Sequence, residues 1–345
     1  MLHPHRVRAQ DASAMPDLIV PRPEGLYCPA GDFYIDPWRP VPCAVITHGH
    51  ADHARSGSAL YHALAESEPL LRLRLGQESP LETHAAGVAF ALGEAKVSLH
   101  PAGHILGSAQ VRIEVDGEVW VVSGDYKREP DPSCAAFEVV PCDTFISEAT
   151  FALPCYQWPG PERVVRELLD YWDDCVRARI PLLLHCYALG KAQRLLAELA
   201  LRVDRPVYLH GAMVGLVEAY RSAGVRMLPT APVSDSARGR DFAGELILAP
   251  PSAQGSPWMK RFQQAASVFA SGWMRVRGHR RRRGYDRGLV LSDHADWPAL
   301  LQSIRQSGAR RVLATHGASE ALVAYLCEQG LDAAALRTDF HSGGD

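Results

Sequence analysis

No stretch of the 345-residue chain reaches the ~18 consecutive apolar residues of a membrane span. The opening "MLHPHRVRAQDASAMP" also lacks the apolar run of a secretory signal, so residues 1–16 read as a disordered leader. No CxxC pair occurs among the eight cysteines, and a chain of this size does not need disulfide staples. Reduced thiols and a cytoplasmic location are the expectation. Lysine is scarce: apart from Lys96, Lys127, Lys191 and Lys260, every basic residue is arginine, a bias that fits a GC-rich bacterial genome. A formal net charge of −3 leaves no global basic field for nucleic acid. Internal repeats and low-complexity tracts are absent, apart from one arginine run.

Hydrophobic residues make up 47% of the chain and charged ones 22%, ordinary values for a globular protein with a sizeable core. Over residues 17–150 the texture is β-rich. "LIV" (18–20), "GLYC" (25–28), "DFYID" (32–36) and "PCAVIT" read as short strands. "KVSLHPAGH" and "AQVRIEVDGEVWVVSGD" are longer ones, with Asp-Gly at the centre of a hairpin turn. "DTFISEAT" is a further apolar strand. Residues 160–285 then alternate strands with helical patterns such as "PERVVRELLDYWDDCVRAR", which argues for a parallel α/β unit. "GLVLSDHADWPALLQSIRQSGARRVLATHG" closes the chain as strand, helix, strand.

Chemistry concentrates just past strand ends. "THGHADH" packs His48, His50, Asp52 and His53 directly after the apolar run Cys43–Ile46. Buried together and unpaired, these groups would cost several kcal/mol of desolvation, which a bound cation removes. Further candidates follow at later strand ends: His104 in "AGHILGS", Asp125 in "SGDYKRE", Glu148 in "SEATF", His294 in "SDHAD" and His316 in "ATHG". His48, His50 and His104 with Asp125 would hold one ion; Asp52, His53 and His316 with Asp125 would hold a second. Two ions sharing a carboxylate can clamp the attacking and leaving oxygens of a phosphodiester. The donors are imidazole and carboxylate without thiolate, which suits two divalent ions, zinc or manganese. Asp36 follows a strand and is either a support for a ligand histidine or a turn residue. Gly49, Gly103, Gly124 and Gly317 flank the ligands, which would let backbone approach a metal.

"HGHADH" resembles the HxHxDH signature of the metallo-β-lactamase fold, and His104, Asp125 and His316 follow in that fold's order. The 191 positions from Asp125 to His316, with "SEAT" near their start and "SDHAD" near their end, resemble the β-CASP nucleases. The opening "PEGLYCPAGDFYIDPWRPV" and "RGYDRGLVLSDHADW" look most like the bacterial ligase-associated DNA exonucleases. The resemblance implies an αββα metallo-β-lactamase sandwich formed by 17–155 and 288–345, with a β-CASP α/β insert over 156–287. It implies catalytic roles for Asp52, Glu148 and His294, with His294 as proton donor held by Glu148. It also implies a metal-dependent exonuclease acting on single-stranded DNA from a 5′ end, in repair alongside a ligase or helicase. An RNA-processing nuclease is the alternative, since the same motifs serve both.

Seven arginines fall between 275 and 287 in "MRVRGHRRRRGYDR", just before His294. Arg277, Arg280, Arg281, Arg282, Arg283 and Arg287 are therefore candidate phosphate contacts. Lys127, beside Asp125, and Lys191, at a helix start in "ALGKAQ", are added to them. The latter stretch is not a P-loop, because the GxxxxGK[ST] spacing is missing.

Overall fold

The computed structural model describes residues 17–237, 239–276 and 284–336. Residues 1–16 and five of the candidate phosphate contacts, Arg277, Arg280, Arg281, Arg282 and Arg283, lie outside the described residues.

Three sheets and six α-helices carry the described chain. The first sheet runs in order β1 (Val20–Arg22), β2 (Gly25–Cys28), β3 (Phe33–Ile35), β4 (Ala44–Val45), β5 (Tyr61–Leu64) and β6 (Leu81–His84). Its first three strands are antiparallel and the rest parallel. The second begins as an antiparallel meander of β7 (Phe90–Leu92), β8 (Ala95–Pro101), β9 (Ala109–Val115) and β10 (Glu118–Val122). The Asp116-Gly117 corner between the last two has φ of 51° and 84°, the left-handed pair that the Asp-Gly dipeptide predicts. Next to β10 lies β11 (Thr144–Glu148), in parallel.

The third sheet contains β12 (Leu182–His185), β13 (Val207–Leu209), β14 (Thr230–Pro232), β15 (Leu246–Ala249), β16 (Ala266–Ala270) and β17 (Arg287–Leu289). All its pairings are parallel, in the order β14-β13-β15-β12-β16-β17. Its central strands are buried on both faces, as a parallel sheet covered by helices requires. The helix Pro161–Ala178 supplies Val164, Val165, Leu168 and Trp172 to that core, and Lys191–Ala200 supplies Leu195, Leu196 and Leu199. After it, β18 (Arg311–Thr315) and β19 (Asp332–Ala335) return to the second sheet, β18 pairing with β11. The second sheet is thus built from two separate stretches, 90–148 and 311–335, with the third sheet between them in sequence.

One apolar cluster is shared by the first two sheets: Ile35, Val45 and Leu64 meet Val97, Val111, Ile113 and Trp120. Helices cover their outer faces. Leu71 and Leu75 of the helix Glu68–Leu75 pack on Ala44, Ile46 and Tyr61. Leu300 and Ile304 of Trp297–Ser307, with Leu322 and Leu326 of Ser319–Glu328, pack on Val121, Phe145 and Val312. No helix among the described residues is long and apolar enough to cross a membrane.

Candidate metal centre

Each candidate ligand hangs from the carboxyl end of a strand or the loop just beyond. β4 delivers Thr47 and His48, β11 ends on Glu148, and β18 pairs Thr315 with Glu148 so that His316 follows beside it. His316 and Asp36 both sit at positive φ, 60° and 44°. Neither is glycine, and such backbone is held only where the surroundings over-determine it.

Three imidazoles converge. His48 Nε2 lies 3.0 Å from His50 Nδ1, and His104 Nε2 lies 3.1 Å from the same atom. Asp125 Oδ2 stands 3.5 Å from His48 Nε2 and 3.8 Å from His104 Nε2. Ligands at ~2.1 Å around one tetrahedral ion stand about 3.4 Å from each other, so this set fits a single divalent cation. The far side of each ring fixes its tautomer. His104 Nδ1–H donates to the Asp293 carbonyl at 2.7 Å, and His50 Nε2–H to the Leu189 carbonyl at 3.3 Å. Thr47 Oγ1 gives its own proton to Asp36 at 2.5 Å, so it accepts from His48 Nδ1–H at 3.0 Å. The three remaining lone pairs therefore point inward, the arrangement a metal-bound histidine needs.

The same Asp125 oxygen is 3.5 Å from His53 Nε2, which is 3.8 Å from Asp52 Oδ2. His53 Nδ1–H donates to Asp36 Oδ2 at 2.7 Å. The His316 ring stacks on His53 with centroids 5.7 Å apart. Asp52, His53 and His316 thus gather on the other side of Asp125, more loosely than the first four. Asp36, which the sequence left undecided, anchors both Thr47 and His53.

Electrostatics follow from burial and neighbours. Burial, then the surrounding histidines, hold His48 and His104 well below the ordinary histidine pKa. Both rings are neutral donors. Burial also opposes charge on His53, but Asp125, Asp36 and Asp52 outweigh it and raise its pKa to about 10. So much acidic charge around one imidazole marks a site for cations. His294 behaves likewise: burial opposes its charge, yet Glu148 and Asp125 raise it to about 9. Glu148, 1% exposed, accepts from Tyr126 N at 2.7 Å, Thr150 Oγ1 at 2.5 Å and His294 Nδ1 at 2.9 Å. His294 sits beside the metal ligands, its ring 4.7 Å from that of His104.

Two expected phosphate contacts are placed elsewhere. Lys127 and Lys191 are buried at 1% and 3% exposure. Lys127 Nζ faces Glu129, and Lys191 Nζ lies 3.3 Å from Asp293 Oδ2, so both are spent on neighbouring acids rather than open to a ligand. Low dielectric makes such pairing obligatory for a buried ammonium. Arg287 is exposed, stacked 3.8 Å over Tyr171 in a cleft that also contains Glu167 and Asp170.

The sequence reading also missed a buried network behind the centre. Arg194, 2% exposed, donates to the Ser292 carbonyl at 2.7 Å and approaches Glu129, Asp131 and Asp293 within 3.4 to 3.7 Å. Nothing in a lone helical arginine signals this; only "SDHAD" drew attention to the loop. Two of the flanking glycines are required by packing between loops. A Cβ on Gly103 would stand 2.2 Å from the Lys127 carbonyl, and one on Gly317 would stand 2.3 Å from the Ala149 carbonyl. They let loop pack on loop, rather than backbone on metal.

The arrangement can hold divalent cations beside a charged imidazole, and comparison with known proteins says which class it resembles. No family model matches the chain. It is 30% identical over 321 residues to a probable DNA ligase of Opitutus terrae, covering 91% of this chain and 31% of that protein. To an RNase J-like protein of Methanocaldococcus jannaschii it is 26% identical over 135 residues, 37% of this chain and 32% of that one. The chain therefore spans about a third of the length of these curated relatives. In fold it is similar to a protein of unknown function from Enterococcus faecalis V583, with a TM-score of 0.56 at 14% identity over 79% of this chain and 74% of the other. The chain is related to the β-CASP nucleases of the metallo-β-lactamase class, which are metal-dependent nucleases.

Proposed function

We propose that the protein is a dinuclear metal-dependent phosphodiesterase, a DNA exonuclease acting on single strands from a 5′ end in repair alongside a ligase. The convergence of His48, His50, His104 and Asp125, with Asp52, His53 and His316 across the shared Asp125 oxygen, carries the reading. In that reading residues 17–155 and 288–345 form an αββα sandwich and 156–287 a β-CASP insert, although β17 continues to Leu289. DNA is preferred because the relative aligned along most of this chain is a probable DNA ligase. The RNase J-like relative supports the RNA-processing alternative. The eight free cysteines suit a reducing cytoplasm.

Two divalent ions, zinc or manganese, would supply an activated water and neutralise charge on the phosphate. The chain's own residues do the rest. Asp36 holds the His53 ring in place through Nδ1. Glu148 holds the His294 proton on Nδ1, which leaves Nε2 to give a proton to the leaving oxygen. Arg277, Arg280–Arg283 and Arg287 would track the strand's phosphates.

The test is cleavage of end-labelled single- and double-stranded DNA and RNA with added zinc or manganese, wild type beside Asp52→Ala and His53→Ala. Shortening of single-stranded DNA from its 5′ end is expected, with several orders of magnitude lost in both variants while the fold persists. Wild-type rates in either variant would overturn the site assignment; cleavage of RNA alone would select the second reading.

A further inference from the structure

A second histidine-bearing cluster sits away from this centre, on β5 and β6. Register pairs His62 with Glu82, and His84 lies two residues further along the same strand. Alternation along a strand therefore puts all three side chains on one face. His62 Nδ1 is 3.0 Å from His84 Nε2 and 3.6 Å from Glu82 Oε2, and the three ligand atoms lie within 4.8 Å of one another.

The face they share looks toward the second sheet, because Leu64, two residues from His62, belongs to the core between the sheets. Phe90 of β7 closes that side, stacked at 3.5 Å centroid separation on His84 and 5.5 Å on His62. His62 is 3% exposed, and its Nε2 has no hydrogen-bond partner among the described residues. The cluster thus lies where the margins of the two sheets meet, half walled by an aromatic ring and open to solvent on the Glu82 side, whose side chain is 62% exposed.

A neutral imidazole pair accounts for the 3.0 Å contact but gives the carboxylate beside it no part. Measured from His62 Nδ1, the second imidazole at 3.0 Å and the carboxylate oxygen at 3.6 Å lie near the ~3.4 Å edges of a tetrahedral site. We propose that His62, Glu82 and His84 bind one late first-row divalent cation, with zinc the natural occupant for this donor set. The fourth position is left to water. β6 is the outer strand of its sheet. A slip of one residue would send Glu82 and His84 to the opposite face, so the ion fixes β6 in register on β5 and secures an exposed edge. The site is structural, and the proposal stands whatever the nuclease substrate turns out to be.

Zinc stoichiometry tests it, measured by elemental analysis on the full chain after dialysis. The background is His48→Ala, His53→Ala and Asp125→Ala together, which takes two ligands from each ion site of the principal centre, the shared Asp125 included, and so separates the two assignments. We expect that background to take up one zinc equivalent through the cluster. Adding His84→Phe should remove the equivalent, together with any zinc-dependent rise in melting temperature. Equal zinc in the two chains overturns the proposal and leaves only a hydrogen-bonded pair. Should His84→Phe fail to fold, Glu82→Gln in the same background gives the decision, since the Glu82 side chain is largely exposed. Losing a direct ligand should weaken zinc binding by about tenfold or more, because even the loss of an outer partner costs that much. An unchanged Kd would count against the site.

Discussion

Glu148 spends its hydrogen bonds on Tyr126 N, Thr150 and His294, so its carboxylate holds the residue proposed as proton donor. Glu148→Gln keeps the shape and removes the charge. Metal content should hold while kcat falls by about 10²–10⁴, the usual worth of a positioned general acid. The pH profile gives a sharper readout. His294 is raised to about 9, against burial, by Glu148 and Asp125. Its charged pair with Glu148 is therefore complete below the ordinary histidine pKa and lost as pH rises through about 9. Activity should fail on that alkaline side, and in Glu148→Gln the alkaline limb should move to lower pH; a limb that stays in place would remove His294 from the acid role. Asp36 acts through another residue. In Asp36→Asn an amide N–H can face His53 Nδ1–H, donor against donor, at the 2.7 Å contact. Metal affinity, read by competition with a chelator, should drop about 10–100-fold.

The elements that carry these residues were unequally legible. The ligand cluster was readable because chemistry of one kind recurs at strand ends, and the Asp-Gly hairpin because its backbone demands that dipeptide. The stretch that includes β5, the helix Glu68–Leu75, β6 and β7 was not assigned at all. "EPLLRLRL" alternates like a strand, and "LETH" has no buried face of its own, since packing against Phe90 and β5 decides it. β1 is displaced as well: Leu18 and Ile19 are buried, but the paired strand is Val20–Arg22. Lys127 and Lys191 were misplaced because sequence shows a charge, not what surrounds it. The helix Lys191–Ala200 reaches the centre through Arg194, which binds the Ser292 carbonyl beside the loop that holds His104 and His294. Arg194→Leu removes the cation that meets all three acids of a largely buried ion network and should cost about 3–5 kcal/mol in denaturant unfolding. A loss below ~1 kcal/mol, the range of an exposed pair, would mean the network contributes no stability of its own.

For the whole molecule, nucleic-acid affinity is expected to come from the arginine run. Replacing Arg280–Arg283 by Ala should weaken binding about equally across sequences and lower the salt slope by roughly 0.7 per lost contact on single strands. Turnover at saturation should change less, because such contacts form in ground and transition states alike. A collapse of kcat with binding intact would instead place the run behind His294. The ring partners of the metal centre carry a different consequence. His104 depends on the Asp293 carbonyl and His50 on that of Leu189, while His316 arrives last along the chain. A ribosome releases these groups in order, so no emerging fragment that stops short of residue 316 holds the full set with its rings oriented. The last ligand thus waits on the strand β18, whose pairing with β11 sets His316 beside Glu148, so the complete set is a late product of synthesis rather than a local one.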